Sequence, residues 1–274
     1  MSAQTAVAVL ADSPRMPFTV SHAAAVLPFR KLNLVWSAFI VGSMAPDFPY
    51  IVGTTAHRDL GHHFPGIILF TIPASFAALW LFHNVIKLPV IGLMPWGMQA
   101  RIQSQASKFR FGGAARFAAI TGSMVLGIAT HIVWDSFTHS FTWAWREFRW
   151  LHHRIPLPFL GSVPGYSLAQ YGSTFVGLAA LAIWVWLWYR GTAPTGKAVQ
   201  TSSINGRFLF AITMLVIAGS LALARAVLMV GMPATRGQAD RFFLIFAVTA
   251  IALAFWQILF YCVLVSTHQV WVLS

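Results

Sequence analysis

The sequence predicts an all-α, polytopic helical membrane protein with about five transmembrane helices plus a short re-entrant or buried half-helix. Two observations carry that prediction. Hydrophobic residues make up 58% of the 274 and charged residues only 9%, whereas a soluble globular domain carries roughly 25% charged residues. Several apolar runs also reach or approach the about 20 residues that a helix needs to cross a bilayer. The formal charge of +12, from 18 Lys and Arg against 6 Asp and Glu, then fits loops held against anionic headgroups. No basic cluster has the pattern of a nucleic-acid module. Membrane lipids are therefore the expected partners, and nucleic acid is not.

Residues 1–15, MSAQTAVAVLADSPR, lack the basic start and long apolar core of a signal peptide and read as a disordered tail. Residues 16–274 read as a single helical membrane domain, with a motif-bearing part at 16–139 and additional spans at 174–265. The half-helix is the apolar segment 34–45, which is too short to span and is followed by Pro46 and Pro49, both of which interrupt helical hydrogen bonding. Five spans follow, at 67–86, 117–135, 174–189, 207–230 and 242–265. The third is short, and its end, Trp184, Trp186, Trp188 and Tyr189 before Arg190, suits an interfacial belt. Between the second and third spans, Trp143, Trp145, Phe148 and Trp150 interleave with Arg146, Arg149 and Arg154, a mixture that favours the headgroup layer. Residues 191–206 form a polar connector. Cys262, the sole cysteine, sits in an apolar run without a disulfide partner. Lys and Arg are nearly balanced between the two sides, so the positive-inside rule does not fix the orientation.

The chemistry lies in the histidines. There are 10, and several of the few carboxylates stand close to them in the chain. His131, Asp135 and His139 follow at i, i+4 and i+8 at the end of the second span, so a continuing helix would place them on one face. Imidazole and carboxylate at that spacing suit zinc and similar divalent ions. Asp47 lies in Pro46-Asp47-Phe48-Pro49 after the half-helix, where it is either a plain N-cap or a group in need of a metal partner. His22 precedes the half-helix, and His57 and the pair His62-His63 precede the first span. Of that pair, His62 is the favoured ligand, with His63 facing solvent or backbone. Five spans put the N-terminal region and the connection after the second span on one side, so His22, Asp47 and His62 can meet His131, Asp135 and His139.

The segments MPFTVSHAA (16–24), GSMAPDFPY (42–50), HHFPG (62–66) and HIVWDSFTH (131–139) together resemble the DUF4184 family of bacterial membrane proteins. More distantly, a Ser/Thr-His start, a Pro-Asp motif, HRxLxH and HxxxD are similar to the YdjM-like membrane-bound metal-dependent hydrolases, which in turn resemble zinc-dependent phospholipase C. The resemblance implies metal ligation by His22, Asp47, His62, His131 and Asp135, with His57 as the first His of HRxLxH. His63 departs from it, standing where the broader motif often has Ser. It also implies a bacterial cytoplasmic membrane protein, and zinc as the metal, with manganese or iron as alternatives.

The expected function is thus a divalent-metal site near one membrane face that hydrolyses a lipid or lipid-linked phosphoester. Asp135 or Asp47, whichever is not committed to the metal, would act as the general base, and a second metal or a cation such as Arg58 would stabilise an oxyanion. Two other readings stay open. One is a non-enzymatic transporter or scaffold with a structural metal site or none. The other treats the polar residues as caps and anchors only.

Overall fold

Apolar runs punctuated by Gly and Pro fold into a chain that is mostly helix, with a single two-stranded hairpin among the described residues. The computed structural model describes residues 19–53, 58–106, 109–158, 161–195 and 204–273; the expected disordered tail at 1–15 lies outside them. A tightly wound helical segment, Thr19–Phe29, leads to α1 (Trp36–Met44), which ends in a turn at Ala45–Asp47. Then come α2 (Arg58–His62), α3 (Phe64–Leu93), α4 (Trp96–Ala106), α5 (Ala114–Thr138), α6 (Trp143–Glu147) and α7 (Arg149–His152). Strands β1 (Arg154–Leu157) and β2 (Gly161–Pro164) precede α8 (Gly165–Gly191), α9 (Ile204–Val230) and α10 (Arg236–Leu273).

Among the described residues, five helical stretches are long and apolar enough to cross a membrane: Phe64–Leu93, Ala114–Glu147, Gly165–Gly191, Gly206–Val230 and Gly237–Ser266. The chain is therefore a multi-span integral membrane protein, and α1 is too short to be a sixth span. The third span is not short as expected: α8 has 27 residues. Ser167 and Gln170 are buried inside the protein, so helix forms where an apolar count stops. The stretch after α7 is also not wholly helical. Pro156 and Pro158 disfavour helix there, and Ile155 pairs with Val163 in an antiparallel hairpin.

Contacts group the chain into two compact units. The first comprises Met1–Phe48, His57–Ser75 and Phe111–Trp186. Within it, α1 lies directly on α5 because Gly42 and Gly127 have no side chains. A Cβ on Gly42 would collide with the Met124 carbonyl, and one on Gly127 would collide with the Phe39 carbonyl. Lipid offers no hydrophobic drive between helices, so such backbone approach is the main source of attraction. Phe39, Ile120 and Met124 fill the seam. Ser123 on α5 accepts a 2.9 Å hydrogen bond from the Val35 N–H, satisfying a donor at the start of α1 that has no helical partner.

The helix α2 is held by similar means. Gly61 leaves room for the Pro46 carbonyl, and the buried Thr71 hydroxyl donates to the Gly61 carbonyl at 3.3 Å. Thr71 ends a wide helical turn, Ile67–Thr71, just before Pro73, which cannot donate to the preceding turn. The start of α8 is tied to α5 by Trp134, whose indole N–H donates to Ser173 at 3.1 Å.

The second unit comprises Pro49–Ala56, Phe76–Arg110 and Leu187–Ser274. In it α9 and α10 pack through Ala218, Ala222 and Ala226 against Val248, Thr249 and Ala252, all buried. The Arg225 guanidinium donates to Thr249 at 2.7 Å. A hydrogen bond across the helix pair is the cheaper option for a charge inside an apolar seam. Arg101 closes the end of α8, donating to the carbonyls of Tyr189 at 2.9 Å and Thr192 at 2.7 Å while lying over the Tyr189 ring.

Replacing Gly127 with Val should force α1 away from α5 and destabilise the protein by about 1–3 kcal/mol, the usual range for an overpacked contact. A lowered thermal midpoint in detergent, with Gly122→Val (open space around the residue) changing little, is the expected result. An unchanged midpoint for Gly127→Val would contradict the packing described.

Candidate metal centre

All the site residues described here belong to the first unit. Asp47 is set by the turn that ends α1, where Pro46 bends the chain. His62 is the last residue of α2. His131 and Asp135 lie one helical turn apart near the end of α5, both buried. One ligand atom from each of Asp47, His62, His131 and Asp135 lies within 4.8 Å of the other three.

The separations are close to those of donors around one ion. His62 Nε2 is 3.1 Å from Asp135 Oδ2, and His131 Nε2 is 3.3 Å from His62 Nε2 and 3.5 Å from Asp135 Oδ2. Asp47 Oδ1 is somewhat farther, 3.7 Å from His131 Nε2 and 3.9 Å from His62 Nε2. For comparison, nitrogen ligands about 2.0–2.1 Å from a tetrahedral zinc are about 3.3 Å apart.

Two neighbouring groups aim these donors. The His131 Nδ1–H donates to the Ser43 carbonyl at 2.8 Å. A carbonyl can only accept, so the neutral ring keeps its lone pair on Nε2, toward the cluster. The Thr19 hydroxyl donates to Asp47 Oδ2 at 2.8 Å, leaving Oδ1 to face the histidines. Asp47 and Asp135 are only 3% and 4% exposed. Among the described residues, the ion-pair partners of both are imidazoles. Buried carboxylates require compensating charge, which a divalent cation held among these donors would supply.

His22 is wholly buried and stacked on His131, with ring centroids 4.0 Å apart. Burial, reinforced by the neighbouring His131, pulls its pKa down to about 3, so it is neutral. Its Nε2 lies 3.5 Å from Asp135 Oδ1.

His139 departs from the expected helical stripe. The helix α5 ends at Thr138, and His139 has an extended backbone (φ −127, ψ 154). Its Nδ1 lies 3.2 Å from the Asp135 carbonyl and 3.1 Å from the Thr138 hydroxyl, and 3.7 Å from Asp135 Oδ2. It stands beside the cluster, outside the set of four converging donors. His57 lies outside the described residues, as does the Arg58 side chain. His63 is exposed while its neighbour His62 turns inward, and His152 and His153 are exposed.

Sequence reasoning missed the two aiming groups. Thr19 had one available signal, a hydroxyl residue three positions before His22. Ser43 acts through its backbone carbonyl, for which no side-chain pattern exists.

The chain matches DUF4184, a domain of unknown function, over residues 16–263. It belongs to the DUF4184 family. No curated protein and no solved structure matches the chain. The matched region of this DUF4184 protein includes His22, Asp47, His62, His131 and Asp135 together with all but the last few residues of the fifth span. Similarity to metal-dependent hydrolases or to phospholipase C is not shown by these matches, so any activity must be argued from the site.

If Thr19 aims Asp47, Thr19→Val should weaken metal binding by about 10–100-fold, the usual cost of losing such a partner, and Thr19→Ser should retain it. Competition with a fluorescent chelator measures both. Equal affinities for Val and Ser would show that the hydroxyl does not matter.

Proposed function

We propose that this DUF4184 protein binds a divalent metal near one face of a bacterial cytoplasmic membrane and there hydrolyses a phosphoester of a lipid or lipid-linked substrate. The observation that carries the reading is the convergence of Asp47, His62, His131 and Asp135 inside an apolar protein. Two imidazoles and two carboxylates suit zinc first, with manganese or iron as alternatives. A divalent ion held there supplies Lewis-acid chemistry, polarising a phosphoryl oxygen and acidifying water.

The protein's own groups account for the rest. Asp135 Oδ1 is buried without a hydrogen-bond partner, and it is the carboxylate oxygen best placed to accept a proton. Asp47 is the second candidate base, its Oδ2 already engaged by Thr19. The donors come from helix ends, with Asp47 after α1, His62 just before α3 and Asp135 in the last turn of α5. That placement suits a substrate arriving from the headgroup layer. Immediately after His139, Phe141, Trp143, Phe148 and Trp150 are exposed alongside Arg146 and Arg149. This aromatic and basic surface matches an anionic lipid headgroup.

One observation favours a second reading, a non-enzymatic scaffold or transporter with a structural metal. Four protein donors converge, and structural zinc sites are usually closed by four ligands, whereas catalytic ones keep a position open.

Purified protein should carry near-stoichiometric zinc, manganese or iron by elemental mass spectrometry, and His131→Ala and Asp135→Ala should each lose it. Affinity should fall as pH is lowered, because protonating a ligating imidazole removes the lone pair that holds the ion. Metal-dependent release of headgroup phosphate from lipid vesicles separates the hydrolase from the scaffold. Wild-type protein that takes up no metal, even after reconstitution, would refute both readings.

A further inference from the structure

We propose that the segment 141–157 is a fixed binding platform for anionic phospholipid. Arg146 and Arg149 hold the lipid phosphate, while Phe141, Trp143, Phe148 and Trp150 lie among the glycerol and upper chain carbons.

The segment is anchored on protein and turned outward. Ala144 and Leu151 are wholly buried, and Phe137 of α5 packs its ring 5.6 Å from those of Trp143 and Phe148. The Thr142 hydroxyl accepts from the Trp145 N–H at 3.2 Å and donates to the Ser136 carbonyl, tying α6 to the last turn of α5. At the other end, the Gly165 N–H donates to the His153 carbonyl at 3.0 Å, and a Cβ on Gly165 would collide with the Trp150 carbonyl. This frame leaves the four aromatic side chains exposed.

Phe141 carries the most telling geometry. Its φ is 61°, and among the described residues no other non-glycine has a positive φ. A bulky side chain in that left-handed region is strained, and such strain gathers where function requires it. The ring is nonetheless 67% exposed. In water the segment would bear both the strain and an uncovered apolar ring. Lipid covers the ring and removes the second cost.

Charge selects the kind of lipid. Three arginines stand against one carboxylate, Glu147, in this segment. Arg154 is committed to the hairpin, donating to the Ser162 carbonyl at 2.7 Å. Arg146 and Arg149 are exposed, and among the described residues neither guanidinium has a hydrogen bond or ion pair. A guanidinium matches phosphate oxygens in charge and in planar geometry. Free phosphate would engage the arginines and leave four rings in water, whereas an anionic phospholipid satisfies both.

Binding of this kind needs no metal. For the hydrolysis proposed above, it makes anionic phospholipid the substrate class, because the platform is joined to the last turn of α5, where Asp135 lies. Only that consequence rests on the metal reading.

The 12 tryptophans make intrinsic fluorescence a poor local probe. The test therefore uses a bimane label on Glu147→Cys in the full-length protein, with the sole native cysteine removed by Cys262→Ala. The protein is reconstituted, with chelator present, in phosphatidylcholine bilayers holding a minority of phosphatidylglycerol, with bromine on the chains of one lipid or the other. Brominated phosphatidylglycerol should quench the label on the order of fivefold more per molecule than brominated phosphatidylcholine. Arg146→Gln with Arg149→Gln should abolish that excess, and the exposed pair Arg110→Gln with Arg116→Gln should preserve it. Equal quenching by the two lipids, or an excess that survives loss of Arg146 and Arg149, overturns the proposal. Absence of quenching by either lipid also overturns it and points to a protein partner for this surface. Phe141→Gly removes strain and ring together, so the thermal midpoint in detergent should hold or rise while quenching by both lipids falls. A lowered midpoint would show that the ring serves protein packing and overturn its place in lipid. With chelator present, each outcome is independent of whether the centre holds an ion.

Discussion

Two carboxylates buried in an apolar protein impose the main constraint on the first unit. Asp47 and Asp135 have imidazoles as their ion-pair partners among the described residues. Leaving a carboxylate uncompensated in a low-dielectric setting is costly enough that proteins avoid it or neutralise it. The hydrogen bonds from Thr19 to Asp47 and from His131 to the Ser43 carbonyl fix which atoms face inward. The donor set is therefore oriented before any ion arrives, which lowers the entropic cost of binding one.

That arrangement depends on backbone approach that only small residues permit. Gly42 and Gly127 bring α1 onto α5, and the Ser43 carbonyl is thereby delivered to His131. Gly61 does the same for α2 against Pro46, next to Asp47 on one side and His62 on the other. The site and the helix packing are thus one structure, and a side chain at any of these glycines would disturb both.

The position of the centre bears on what it can act on. Its donors sit at helix ends, and the aromatic and basic surface after α5 exposes Phe141 and Trp143. The second unit contributes none of the described donors. Its polar groups instead serve the helices themselves: Arg101 caps α8, and Arg225 binds Thr249.

The sequence by itself determined the membrane class and the five spans, because length and apolarity are local properties that survive without knowledge of contacts. It also singled out His22, Asp47, His57, His62, His131, Asp135 and His139, since ionisable residues beside apolar runs are rare and need a reason. It misjudged elements whose fate depends on neighbours. The helix α8 extends back through Ser167 and Gln170 because protein, not water, surrounds them. His139 leaves the helical stripe because α5 stops at Thr138. Only the tertiary structure decided which atoms converge, which oxygen of Asp135 faces which histidine, and that a backbone carbonyl sets the tautomer of His131. Those are distances between residues far apart in the chain, fixed by helix packing, and no periodicity or spacing encodes them.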